Sequence, residues 1–187
     1  RRAAAMPRLT TFLALLVALA GPLAAASENP APGTISLRVE GRVVTFQVTS
    51  AHIFLTDTTS ALPVETFQIR GPGLVLTGVL PSDAHVGTEA NWKALAGRWI
   101  RIRPWGGDPA ENARARLNLP DSSLGEQGNA ARPVVNGYMT VEKVVTKGGL
   151  DAPAALTGYL FVEVQYPEGT RTYHGRYNID FQGRADY

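Results

Sequence analysis

Cysteine is missing altogether from the 187 residues. That excludes disulfide bonds, thiolate metal ligands and a thiol nucleophile, so stability has to come from burial. Histidine is scarce: His52, His85 and His174 are the full complement of 3. No two of them have the i, i+4 spacing that sets a pair of imidazoles on one metal, and no metal site or cofactor site is expected. The chain contains no G-x-S-x-G elbow, P-loop, G-x-G-x-x-G or H-E-x-x-H pattern, so the usual local signatures of hydrolases, nucleotide binders and metallopeptidases are lacking. It also has no N-x-S/T glycosylation acceptor. Long apolar runs are few, and the main one, residues 9–20, falls short of the ~20 residues that span a bilayer.

What is present at the N-terminus follows the order of an export signal. Arg1, Arg2 and Arg8 make a basic start, the apolar run follows, and Ala24, Ala25 and Ala26 supply small residues. This predicts a secretory signal peptide over residues 1–26 with cleavage near Ala26, and hence a periplasmic or secreted protein. The signal carries three of the 18 Lys and Arg and none of the 16 Asp and Glu, leaving 15 cations against 16 acids and a net charge of −1. The sequence pI near 9.1 is thus mostly a property of the signal, and no nucleic-acid partner is expected. The remaining 161 residues suffice for one core, with no transmembrane segment in the mature chain.

Residues 27–33 (SENPAPG) read as a disordered lead-in to one domain over 34–187. From residue 34 onward the dominant signal is period-two alternation. Ile35, Leu37 and Val39 alternate with polar neighbours, as do Val44, Phe46 and Val48, and the two runs form a hairpin. Its expected pairing sets Val39 against Val44 and Leu37 against Phe46, with Gly41 and Arg42 in a type II′ turn. Strands follow near 51–56, 65–70 and 74–80. Residues 88–97 (TEANWKALAG) have helical spacing, with Thr88 as N-cap and Gly97 as stop. Residues 98–103 return to strand. The segment 104–133 reads as a long irregular excursion, relieved by a short helix that Asp108, Pro109 and Glu111 start and that runs to about Arg116. Strand pattern resumes at 134–146, with Gly137 as a bulge. A long hairpin over 156–181 closes the chain. Its even-parity register places Val164 opposite Tyr173 and Glu163 opposite His174 around a loop of Pro167 to Thr170. The expected fold class is therefore all-β: a single antiparallel β-sandwich, or barrel-like sandwich, of about nine strands with one or two short helices in loops.

Two groups of residues could carry function. Trp99, Arg101 and Arg103 share one side of a strand, with Trp105 just beyond. Guanidiniums pair with carboxylate or phosphate while indole offers a flat apolar face, so this stripe suits an anionic glycan or a lipid headgroup. The plainer account is arginines paired with acids on neighbouring strands. The second group is Glu163, His174 and Arg176, a carboxylate beside an imidazole that would permit proton transfer; its plainer account is a cross-strand polar pair. The expectation is a non-enzymatic binding or assembly module whose partner is an unidentified cell-envelope ligand or protein. The alternative is a small hydrolase or isomerase using Glu163 and His174.

Overall fold

The computed structural model describes residues 29–55, 65–81, 89–102, 115–121, 128–147 and 154–182. The signal-peptide reading over 1–26 and the helix start at Asp108 to Glu111 lie outside them, as do Arg103 and Trp105. Among the described residues the protein is all-β, with ten strands and one short helix: β1 (Thr34–Val39), β2 (Arg42–Gln47), β3 (Ser50–Leu55), β4 (Glu65–Gly71), β5 (Leu74–Val79), α1 (Glu89–Lys93), β6 (Trp99–Ile102), β7 (Arg116–Pro120), β8 (Asn129–Thr146), β9 (Ala154–Tyr166) and β10 (Gly169–Phe181).

All pairings are antiparallel within one sheet of order β2-β1-β10-β9-β8-β6-β5-β4-β3, and β7 also pairs with β5 and β8. The two ends of that path, β2 and β3, are consecutive in the chain. β2 bonds β1 while β3 bonds β4, and the Gln182 N–H reaches the Ala51 carbonyl at 2.9 Å, tying the end of β10 to β3. The sheet therefore curls round on itself in a barrel-like way. β6 and β7 share one position between β5 and β8, so the order is largely a meander, with β10 returning to pair with β1.

Every strand turns its apolar phase to one interior. Ile35, Leu37, Phe67, Ile69, Ile100 and Leu160 belong to a single buried cluster, and Trp92 and Leu95 from the α1 region join it. The outward phase carries residues such as Arg38, Thr45, Gln68, Arg70 and Arg101, together with exposed Val43 and Trp99. The interior is filled by side chains, with Trp92, Tyr177 and Phe67 the largest of those fully buried. Two of these rings lie across from glycine: Tyr177 pairs with Gly158 and Phe67 with Gly78. A methyl group on Gly158 would stand 1.8 Å or less from backbone, at 1.7 Å from the Thr140 carbonyl oxygen. The missing side chain lets β8 approach and leaves room for the Tyr177 hydroxyl to donate to that same carbonyl at 3.1 Å.

Both hairpins close two residues tighter than expected. In the first, Val39 pairs with Arg42 and Leu37 with Val44. Glu40 and Gly41, both at positive φ (49° and 80°), form the turn, so it has the two left-handed residues of type I′ rather than the single one of II′. In the second, Tyr166 pairs with Gly169 across Pro167 and Glu168, Tyr173 lies opposite Val162, and His174 lies opposite Phe161 instead of Glu163. A shift of two keeps each side chain on its face and changes only its neighbours. The expected faces therefore stand while the expected partners do not.

Three other expectations need correction. The lead-in is tied down from residue 30: the carbonyls of Pro30, Ala31 and Gly33 accept from Asn178, Thr34 and Val48. The excursion at 104–133 contains β7 and the first residues of β8. In β7, Leu117 and Leu119 point inward between exposed Arg116 and Asn118, too short a run to stand out among prolines and glycines, and Arg116 opens a strand rather than ending a helix. Finally, the irregularities of β8 fall beside Gly137, not on it. The pairing with β9 skips a residue between Val134 and Asn136 and again between Val141 and Lys143, leaving Val135 and Glu142 as the extra residues.

Gly158→Ala should cost about 3 kcal/mol of unfolding free energy by urea titration, since backbone must move. Gly41→Ala, with nothing within 4 Å and only its left-handed φ to satisfy, should cost about 1 kcal/mol. Burial, reinforced by the nearby Glu142 carboxylate, pushes the Tyr177 phenol well above its usual range. Its folded pKa is raised, so its stabilising contribution is intact below the unfolded value of about 10 and lost as pH rises beyond it. Unfolding free energy should accordingly fall above pH ~10, and Tyr177→Phe should flatten that fall by up to ~1.4 kcal/mol per pH unit.

Candidate functional site

The register aligns outward-facing side chains into rows across the strands. Arg101 lies opposite Tyr138, Tyr138 opposite Phe161, Phe161 opposite His174, and His174 opposite Arg38. One step along the strands, Trp99, Thr140, Tyr159, Arg176 and Ser36 make a second row. One face of β6, β8, β9, β10 and β1 thus brings Trp99 and Arg101 together with His174 and Arg176. The two groups that sequence spacing had kept apart form one surface.

Its chemistry is mixed aromatic and cationic. Trp99 is 61% exposed, Tyr159 41%, Phe161 38% and Tyr138 37%, among the most exposed large apolar side chains of the described residues. The Trp99 and Tyr138 rings meet edge to face at 5.9 Å, and Phe161 lies against the His174 imidazole at 6.4 Å. A shallow cleft of about 310 Å³ opens beside them, bordered by Trp99, Asn136, Tyr138, Phe161, Glu163 and Thr172. The two irregular points of β8 bracket this surface, since Val135 lies just before Asn136 and Glu142 just after Val141. Extra residues of this kind bend a strand and increase its local twist, which shapes the middle of the face.

Arg176 is structural within it. Its guanidinium stacks over the Tyr159 ring at 4.4 Å, donates to the Tyr159 hydroxyl at 3.0 Å and pairs with Glu142 at 2.5 Å. Its Nε is buried with no hydrogen-bond partner. Arg176 therefore holds the Tyr159 ring in place. Arg101 and Arg38, four strand steps apart in the first row, make no ion pair among the described residues, so among those residues the acid pairing that was the plainer account of Arg101 does not occur.

Comparison with protein-family models, with curated proteins and with solved structures finds no match for this chain.

Glu163 lies opposite Thr172, diagonal to His174, and makes no ion pair with it. Arg176 turns to Glu142 instead of Glu163. The carboxylate–imidazole pair required for proton transfer is not formed, because the tighter hairpin gives His174 an aromatic neighbour. Among the described residues no group of three or more metal-ligating side chains converges. The residues that sequence spacing did not single out are Tyr138, Tyr159 and Phe161. Their signal was present: each sits in the polar phase of its strand, where a large ring has no interior to fill. The β8 irregularities were also marked, as inward residues Val134 and Gly137, and then Val141 and Val144, stand three apart instead of two.

In a Trp105→Phe background, which leaves Trp92 and Trp99 as the emitters, Trp99→Phe should reduce the acrylamide-accessible share of tryptophan emission, since Trp92 is 1% exposed. The melting temperature should move by less than about 2 °C, as expected of a surface substitution. Unchanged quenching would contradict the exposure of the indole.

Proposed function

We propose that this chain is an exported, non-enzymatic binding module, acting in the bacterial periplasm or outside the cell, that holds a cell-envelope ligand against the outer face of β6, β8, β9, β10 and β1. The observation that carries the reading is the row Arg101, Tyr138, Phe161, His174, Arg38. Surface rings cost solvation free energy without a partner, and rings gathered on a polar face beside unpaired guanidiniums suit recognition better than packing. Export rests on the basic, apolar and small-residue order of residues 1–26. The packed interior supports an external site, since Tyr177, Phe67 and Trp92 fill the space that a barrel ligand would take. A binding role also fits the open setting, where Glu163 lies opposite Thr172 and is not joined to His174 for acid–base work.

The test is an amide and indole NMR titration of the purified protein with acidic oligosaccharides, neutral oligosaccharides and anionic phospholipid vesicles. At least one class should give saturable shifts confined to this face. The double variant Trp99→Ala, Phe161→Ala should lose them while keeping a cooperative melt. Shifts located elsewhere, or none with any class, would overturn the reading.

A further inference from the structure

We infer that the ligand of this face is an acidic oligosaccharide, laid across the strands over about five sugar units and carrying carboxylates toward both ends; the inference rests on the binding reading above.

Along the row each of the five strands is paired with a neighbour on both sides, so an extended peptide cannot add as a further strand there and gain main-chain hydrogen bonds. Recognition has to come from side chains. Backbones along the row are one strand spacing apart, about 4.8 Å, and the outward side chains spread beyond it, to 6.4 Å between the Phe161 and His174 rings, a spacing of the order of one pyranose unit in an extended glycan. Tyr138 and Phe161 lie on adjacent strands and present two rings at that repeat, and sugar C–H faces pack on such rings.

Charge sets the rest. The guanidiniums of Arg101 and Arg38, which make no ion pair among the described residues, stand four strand steps apart, roughly 19 Å measured round the curved sheet, with Val79 and Val43 next beyond them. Between them lie rings and His174. Arg forks bind carboxylates bidentately, so the ligand bears an anion near each end, with carboxylates on some of its units rather than on every one. A nucleic-acid strand, with a phosphate at every unit, fits poorly, because Glu163 and Glu142 flank the row and it carries only two arginines, Arg101 and Arg38, without an ion pair among the described residues. A single lipid headgroup is too small to reach both arginines.

The probes are hyaluronan oligosaccharides of two, four and six sugars, with chitohexaose as the neutral control and oligo(dT) and phosphatidylglycerol vesicles as competitors. Binding is read by isothermal titration and by the Trp99 indole resonance. The hexasaccharide should bind at least about tenfold more tightly than the disaccharide and than chitohexaose, and its affinity should fall with salt. Arg38→Ala and Arg101→Ala should each weaken the hexasaccharide about fivefold. Neither should affect the disaccharide by more than about twofold when the other arginine remains to receive it. Equal affinity at all lengths, equal binding of chitohexaose, no hyaluronan binding, or preferential binding of oligo(dT) or vesicles would each overturn the inference. The binding reading itself fails only if no probe, vesicles included, perturbs the face. Circular dichroism melts of both variants, expected within about 2 °C of the parent, separate lost binding from lost fold.

Discussion

The structure depends on one constraint: a sheet that curls back on itself has a single interior, and each strand must turn the same phase of its pleat into it. Tyr177 opposite Gly158 and Phe67 opposite Gly78 show how closely that interior is filled, with one bulky ring accommodated by the absence of a side chain across from it. Because the large rings occupy the middle and Trp92 from the α1 region packs against Phe181 at 5.9 Å, the interior is committed to stability. Recognition is left to the outside.

Closure has a second consequence. A strand with both edges bonded offers a ligand no main-chain donors or acceptors, so selectivity on its outer face comes from side chains arranged at the strand spacing. The antiparallel register then acts as a ruler. Arg101, Tyr138, Phe161, His174 and Arg38 come from five strands between residues 38 and 174, and hydrogen-bond pairing alone sets them in line. The Arg176 guanidinium, clasped between the Tyr159 ring and Glu142, keeps the adjoining row ordered. The extra residue at Glu142 is what lets β8 supply that carboxylate while Val144, three residues after Val141, returns toward the core.

A different cluster shows the same economy at the turns. Tyr166 and Tyr173 share a hydroxyl hydrogen bond of 2.8 Å, and the Tyr166 ring lies between the guanidiniums of Arg132 and Arg171 at 4.8 and 4.4 Å. Arg171 reaches Glu40 in one turn and Glu168 in the other, and Arg132 pairs with Asp121. The β1–β2 and β9–β10 turns are thereby joined through side chains whose positions in sequence give no hint of proximity.

The all-β class, the inward phase of nearly every strand and the presence of a turn at Gly41, though not its type or the residues that close it, could be read from residues alone, because pleat parity is a local property with period two. Partner identity was not local. Whether Glu163 faces His174 or Thr172 depends on a two-residue difference in loop closure that leaves both faces unchanged, so alternation carries no information about it. The short strand Arg116–Pro120 was hidden for a related reason: two inward leucines acquire meaning only when β5 and β8 are there to bond them. That Trp99 and Arg101 share a surface with His174 was decided by tertiary structure, since only closure of the sheet and its hydrogen-bond register convert distant positions in the chain into neighbours in space.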